Sequence, residues 1–251
     1  MSHKRRVRRA FDRAAAGYDA AADLQRRVCD LLLAQLPDLA PARILDAGCG
    51  TGYGKALLQQ CWPGARCFAA DFSPAMIERS GGGVCADVET LPFAGGSFDL
   101  YWSSLTFQWC DGPKAMAEAA RVLAPGGRLA VSSLGPGTLG ELEASFDGLD
   151  AHRHVLAFTP AEELAAACRD AGLGDIRLET HRLTHYLPDV RTLLGQLKAL
   201  GANQVGAGRR RGLLGRDAWH AIEARYEQRR DASGLPATYE VILCLGIKPF
   251  S

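Results

Sequence analysis

The chain lacks an excess of either charge: 29 lysines and arginines stand against 28 aspartates and glutamates in 251 residues. Nothing global draws such a chain to nucleic acid or to an acidic membrane surface, so neither is expected as a partner. It has no apolar run near the roughly 18 residues that cross a bilayer, and its start has no apolar h-region of a secretory signal. Its eight cysteines form no C-x-x-C pair and stand beside no histidine at zinc-ligand spacing. That pattern excludes a metal-finger reading and leaves reduced thiols that pack as small hydrophobes. No repeat or low-complexity tract is present. Together these absences lead us to expect a cytoplasmic protein with no metal. Two phosphate-binding motifs are also missing. A dinucleotide fingerprint needs glycine at its first, third and sixth positions, but counting from Gly48 the sixth is Tyr53, and from Gly50 it is Lys55. No G-K-S/T follows to make a P-loop.

Apolar residues are plentiful, at 47% of the chain, enough to bury a full core. Leu24, Val28, Leu31 and Leu32 recur at helical spacing and bring the chain in through a helix that ends before Pro37. Short apolar runs then follow at 43–47, 66–70, 84–86, 98–103 and 128–134, with helix-length segments between most of them. This is the βαβ alternation of a parallel sheet, which puts helices on both faces and ligand-binding loops at the carboxyl ends of the strands. Two longer runs, 175–186 and 238–247, suit a closing pair of strands at one edge. Between them Val190, Leu193, Leu194, Leu197 and Leu200 trace one helical face, and Trp219, Ile222 and Tyr226 trace another. Ser73-Pro74 and Thr159-Pro160 read as helix starts, Thr159 with Glu162 as a capping box, and Thr138 with Glu141 as a second box. The expected organisation is a single domain over 1–251, with an N-terminal helical lid (1–40), a ligand-binding core (41–135) and a helical insertion over the substrate site (187–236).

The stretch RILDAGCGTGYGKAL sets Gly48, Gly50, Gly52 and Gly54 at alternate positions behind Asp46. Without a phosphate motif, this pattern suits a nucleoside that carries an amino acid. Gly48 and Gly50 let the backbone approach closely, while Asp46 offsets a positive amino group or orients the loop. Asp71 ends the second strand, where a carboxylate accepts both hydroxyls of a ribose. Phe72 beside it offers a flat face to adenine. Asp87, just past the third strand, comes within reach of an adenine amino group.

The segments ILDAGCGTG, AADFS, ADVETLPF and RVLAPGGRL together resemble the class I S-adenosylmethionine-dependent methyltransferases over 43–134. The resemblance implies a Rossmann-like seven-stranded, mostly parallel α/β sheet with helices on both faces and an antiparallel last strand. It also implies that Gly48, Gly50 and Gly52 line the methionine end of the cofactor, that Asp71 takes the ribose, and that Asp87 and Val88 meet the adenine. The flanks narrow it further. FDRAAAGYDAAADLQRRV, SSLTFQWC, GPGTLGEL, LKALGAN and GLPATYEVIL are similar to the BioC-type malonyl-acyl carrier protein O-methyltransferases of biotin synthesis. The implied reaction transfers a methyl group to the free carboxylate of malonyl-acyl carrier protein, giving the methyl ester and S-adenosylhomocysteine. On this resemblance Tyr18 is expected as a lid over the sulfonium, Ser103, Gln108 and Trp109 as walls of the transfer channel, and Gln25 and Arg26 as holders of the methionyl carboxylate.

One departure bears on the acceptor. Where that family commonly reads H-x-N-R-F, this chain reads HVLAF, with Leu156 and Ala157 in place of the Asn and Arg. Arg153, His154, Arg182 or the run Arg209, Arg210 and Arg211 are therefore the candidates for binding the substrate. Basic clusters at 3–9 and 209–211 each suit a docking surface for an acidic partner, and because acyl carrier proteins are strongly acidic the run at 209–211 suits the carrier. A monomer is expected. The competing readings are a methyltransferase of the same fold acting on another small carboxylate or a quinone ring carbon, and a non-catalytic scaffold that binds the cofactor.

Overall fold

The computed structural model describes residues 3–36, 38–149, 152–202 and 215–250. Among these, seven strands form one sheet: β1 (Arg43–Ala47), β2 (Arg66–Asp71), β3 (Val84–Cys85), β4 (Phe98–Ser103), β5 (Leu123–Leu134), β6 (Gly174–Leu187) and β7 (Leu235–Ile247). Their order is β3-β2-β1-β4-β5-β7-β6. The first five are parallel, and β7 runs antiparallel to both β5 and β6. The strands and the closing edge pair fall where the apolar runs predict them, except that β5 begins five residues and β7 three residues ahead of its run. The chain reverses direction across the sheet at β1 and β4, and that switch point opens a crevice beyond the strand carboxyl ends.

Residue alternation along the strands divides the core in two. Ile44, Leu100 and Trp102 point to the face covered by α2 (Asp23–Leu33) and α3 (Tyr53–Cys61), and farther along by α8 (Val190–Ala199) and α9 (Arg216–Glu227). Leu45 and Tyr101 point to the other, covered by α5 (Gly112–Val122) and α7 (Ala161–Asp170). Each fully buried leucine or isoleucine stabilises the fold by roughly 1.5–3 kcal/mol before entropy. All eight cysteines carry free thiols, and Cys168 and Cys244 meet Sγ to Sγ at 3.4 Å in the second core. No helix among the described residues is long and apolar enough to cross a membrane.

Helix starts follow the local chemistry in part. Ser73 caps α4 (Pro74–Arg79) by accepting from the Met76 amide at 3.3 Å, as the Ser-Pro pair predicts. The two expected capping boxes do not form. Pro160, not Thr159, stands at the N-cap of α7, with no side-chain cap. Before α6 (Gly140–Ser145), Thr138 Oγ1 accepts from the Glu240 amide at 3.0 Å, and Glu141 accepts from Thr238. Both side chains are drawn to β7, whose exposed backbone and hydroxyl groups compete with the local cap.

Candidate active site at the strand ends

The turn after β1 requires its glycines. Gly48, Gly50 and Gly52 sit at φ of +77°, +52° and +96°, where an L side chain is strained. A Cβ on Gly48 would lie 2.1 Å from Thr106 Oγ1, and one on Gly52 would lie 2.9 Å from Ser80 Cα. At Gly50 nothing lies within 4 Å of that position, so its main chain faces open space. The Gly48 and Cys49 amides donate to the Ala70 carbonyl at 2.7 and 3.1 Å, tying the turn to β2. Gly50 N–H donates to Asp71 Oδ2 at 3.0 Å, and Ser73 N–H donates to Asp71 Oδ1 at 2.8 Å. An ionised carboxylate has about four acceptor sites, so Asp71 keeps capacity for two hydroxyls.

Two cavities border this turn and a third adjoins them. The first, about 70 Å³, contains Asp71, Phe72, Asp87 and Val88 with Gly48 and Gly50. The second, about 60 Å³, is walled by Gln25, Arg26, Asp46 and Trp102 with the same two glycines. Three buried polar atoms there, Gln25 Oε1, Asp46 Oδ2 and Trp102 Nε1, have no partner in the protein. A Cβ on Gly54 would lie 3.0 Å from that Asp46 oxygen and 3.1 Å from the Trp102 nitrogen, so Gly54 keeps a notch clear between them. Two acceptors and one donor suit an amino-acid zwitterion, with an ammonium on the oxygens and a carboxylate or a bridging water on the indole N–H. The donor set and the open glycine backbone therefore fit S-adenosylmethionine.

The third cavity is larger, about 320 Å³, with a mostly apolar lining that includes leucines of α8. Phe11, Tyr18, Leu105 and Trp109 line both it and the Asp71 cavity, forming the wall between them. Tyr18 alone of these also lines the Asp46 cavity. Gln108 lines the large cavity with its amide fixed, Nε2 donating to the Leu105 carbonyl at 2.6 Å.

Burial sets the electrostatics. It raises the Asp46 carboxyl to about 7, with Asp71 adding to the shift. Asp71 is raised to about 6, again by burial, against the pull of the two amides it accepts from. Burial first, and Asp71 second, push the Tyr18 phenol above its ordinary value. Tyr18 therefore stays a neutral hydroxyl donor.

A strap made of α1 (His3–Ala14) and the short 3-10 helix Tyr18–Ala21 crosses the strand ends. Lys4 Nζ pairs with Asp87 at 2.5 Å and Glu89 at 2.6 Å. Ser73 Oγ donates to Asp12 at 2.6 Å, and Thr51 Oγ1 donates to Asp19 at 2.6 Å. Phe11 meets Phe72 and Trp109 edge-on, with centroids 6.4 and 5.6 Å apart.

Most of the residues singled out from the sequence converge here, with corrections. Ser103 is fully buried and donates to the Ala47 carbonyl at 2.7 Å; the next residue, Ser104, lines both smaller cavities instead. Strand alternation turns Ser103 inward. Arg182 lines none of the three cavities; it is exposed and pairs with Glu240 at 2.6 Å across the β6–β7 edge. From β6 it is His185 that reaches the large cavity. Arg26 borders the Asp46 cavity with its guanidinium engaged by Asp23 at 2.6 Å and the Asp19 carbonyl at 3.0 Å. Asp87 borders its cavity while already accepting from Lys4 and the Glu89 amide. Arg153 and His154 line the large cavity, His154 stacked on Phe146 at 3.6 Å. Arg209, Arg210 and Arg211 lie outside the described residues. Sequence reasoning missed Phe11, Trp102, Ser104 and His185. An apolar strand tryptophan reads as core, and only its unpartnered Nε1 marks Trp102 as part of a site.

Residues 45–131 match the family model described as a methyltransferase domain. The chain is 49% identical over 244 residues to a malonyl-acyl carrier protein O-methyltransferase of Dechloromonas aromatica, covering 95% of this chain and 92% of the relative. It is 41% identical over 255 residues to a bifunctional biotin biosynthesis protein BioHC of Cellvibrio japonicus, covering 98% of this chain and 50% of that one. Among solved structures, Haemonchus contortus phosphoethanolamine N-methyltransferase 2, in complex with S-adenosyl-L-methionine, shares the fold. Its TM-score is 0.61 at 16% identity, over 99% of this chain and 60% of that one.

Proposed function

The chain belongs to the malonyl-acyl carrier protein O-methyltransferase family, and from that membership we propose that it methylates the free carboxylate of malonyl-acyl carrier protein for biotin synthesis. S-adenosylmethionine, when bound, supplies the methyl group and leaves as S-adenosylhomocysteine. Asp46 with Gln25 and Trp102 holds its amino-acid end, Asp71 the ribose, and Phe72 with Val88 the adenine. The observation that carries this reading is the shared wall of Phe11, Tyr18, Leu105 and Trp109, with two cavities of different chemistry on either side. A methyl group presented at that wall from one side meets an acceptor waiting on the other.

No base is required. A malonyl carboxylate is ionised near neutral pH, so its oxygen attacks without losing a proton first. What the protein supplies is alignment, worth on the order of 7–11 kcal/mol when two reactants are held in near-attack geometry. The aromatic wall excludes water and so strengthens the attraction between the incoming carboxylate and the positive cofactor. Tyr18, as a neutral phenol, orients groups at the wall. Arg153, His154 and His185 are the basic side chains lining the large cavity among the described residues, and we assign them to the acceptor carboxylate in place of the arginine absent at Ala157. We further read 1–40 and 187–236 as lids on one domain, 41–135 as its cofactor-binding core, and the working protein as a cytoplasmic monomer.

The test is transfer of labelled methyl to malonyl-carrier protein, malonyl-coenzyme A and a quinol precursor. A base-labile methyl ester on the malonyl thioester is expected. Label on the quinol alone would mean a carbon acceptor, and tight S-adenosylhomocysteine binding without turnover of any acceptor would mean a scaffold.

A further inference from the structure

The outer face of α1 has no part in the site described above. Val7, Ala10 and Ala14 are buried against the protein, while Phe11, Lys4 and Asp12 contact the strand ends. On the opposite side Arg5, Arg9 and Arg13 recur every four residues, with Arg8 beside them, and all four are exposed. That spacing aligns them as one row. Arg8 reaches Asp12 only at 3.9 Å, and Arg9 and Arg13 form no ion pair among the described residues.

Local physics disfavours such a row. The first turn of α1 contains no acid and several bases at the positive pole of the helix dipole, whereas Arg13 in the last turn sits at the favourable pole. Like charges four apart add further repulsion. Packing does not need these side chains, since the buried face is complete without them. Arg9 and Arg13, exposed like charges four residues apart with no ion pair among the described residues, therefore suit a partner of opposite charge.

The position of the helix narrows the partner. Phe11, on the face of α1 opposite the arginine row, lines both the large cavity and the Asp71 cavity. A Cβ on Gly201, just past α8, would lie 3.0 Å from the Ala10 carbonyl carbon. The arginine helix therefore forms part of the rim of the acceptor cavity. We propose that the arginine row of α1 is the docking surface for the acidic body of the carrier protein, holding it while its thioester arm enters the large cavity. This rests on the acceptor reading above and extends it from the cavity to the protein surface. Opposite charge on the two faces speeds encounter and fixes the register of the complex, and exposed pairs of this kind respond to salt.

The experiment uses the full chain and two double variants, Arg9→Glu/Arg13→Glu and the milder Arg9→Gln/Arg13→Gln. Affinity for malonyl-carrier protein is read by fluorescence anisotropy at low and at physiological salt, and S-adenosylhomocysteine affinity by calorimetry. Charge reversal should raise the carrier Kd about tenfold and neutralisation about threefold, each flattening the salt dependence, with cofactor affinity unchanged. If the reversal pair loses cofactor binding through misfolding, the neutral pair decides. Unchanged carrier affinity and salt slope in the folded variants would overturn the proposal, as would a loss confined to retention on duplex DNA. A separate methyl-transfer assay distinguishes the two readings. Carrier binding through α1 without transfer would sink the functional reading alone, whereas transfer with carrier binding indifferent to the arginines would sink only the docking surface.

Discussion

At Asp46, burial and the nearby Asp71 hold the proton on up to about pH 7, against an ordinary carboxyl near 4 in the unfolded chain. Folding therefore takes up a proton between those values. The associated stability is fully present below about pH 4 and is lost as the pH rises through 7. Cofactor binding runs the other way, because an ammonium needs the ionised carboxylate, and Asp71 at about 6 acts in the same sense. We expect S-adenosylhomocysteine affinity to fall severalfold as the pH drops from about 8 to 6, while the apo protein melts higher. In Asp46→Asn both slopes should shrink, and a wild-type affinity flat across that range would refute the assignment. The Gly54 notch yields a second prediction. Gly54→Ala puts a methyl group about 3 Å from the unpartnered Asp46 and Trp102 atoms, yet alanine favours α3 by up to about 1 kcal/mol. Cofactor affinity should fall about tenfold, the cost of one charged hydrogen bond, with apo thermal stability held or raised. Undiminished affinity in calorimetry would show that the notch holds nothing. The acids at the ends of β1 and β2 were legible as candidates because position at a strand end limits what a carboxylate can do. The role of Trp102 was not, because a buried indole looks like core until its N–H is seen to lack a partner.

Helix α1 shows how an element gains function from its edges. Its contacts with Asp87, Glu89 and Ser73 run along the strand ends, so opening the Asp71 cavity means breaking them. The side chain of Glu89 is only 9% exposed, and losing Lys4 leaves it with the Asp111 amide at 2.7 Å as its remaining partner. Lys4→Met should speed S-adenosylhomocysteine release about fivefold, equivalent to roughly 1 kcal/mol for a partly exposed ion pair. Stopped-flow fluorescence measures this directly, and added salt should mimic the substitution in the wild type while leaving the variant unmoved. Release rates equal to wild type would mean that the strap is not a latch. At this scale the sequence was readable where a pattern repeats over several residues, as in the strands and in the helical face of α8. It failed where one side chain chooses between two partners. Thr138 and Glu141 matched a capping box, but β7, a hundred residues on, offered them better-placed groups. The Pro125-Gly126-Gly127 segment marks a different limit. It lies inside β5, whose apolar pattern begins only at Arg128, and the pairing of Leu123 with Phe98 ahead of it leaves no trace in hydrophobicity.

Over the whole molecule, the sheet order explains why residues as distant as Phe11, Asp71, Trp109 and His185 serve one region. The switch between β1 and β4 opens the crevice, the strap roofs it, and β6 with α8 closes the far side. Element order and the edge pair were legible because each strand is its own apolar run, and right-handed crossovers then put the helices on both faces of the parallel part. The division of the crevice into three cavities was not, because it depends on where the strap lies. That division carries a thermodynamic consequence. Tyr18, Phe11, Leu105 and Trp109 border both the cofactor side and the acceptor side, so a ligand that immobilises them on one side prepares them for the other. Saturating S-adenosylhomocysteine should tighten carrier binding about fivefold, the lower end of measured couplings, and carrier should tighten S-adenosylhomocysteine by the same factor, as linkage requires. Trp109→Ala removes the largest shared side chain and should bring both factors toward one without abolishing either binding event. Anisotropy for the carrier and calorimetry for the cofactor give the two factors independently. If each ligand proves indifferent to the other in the wild type, the wall is not shared in solution and the two cavities act as separate sites.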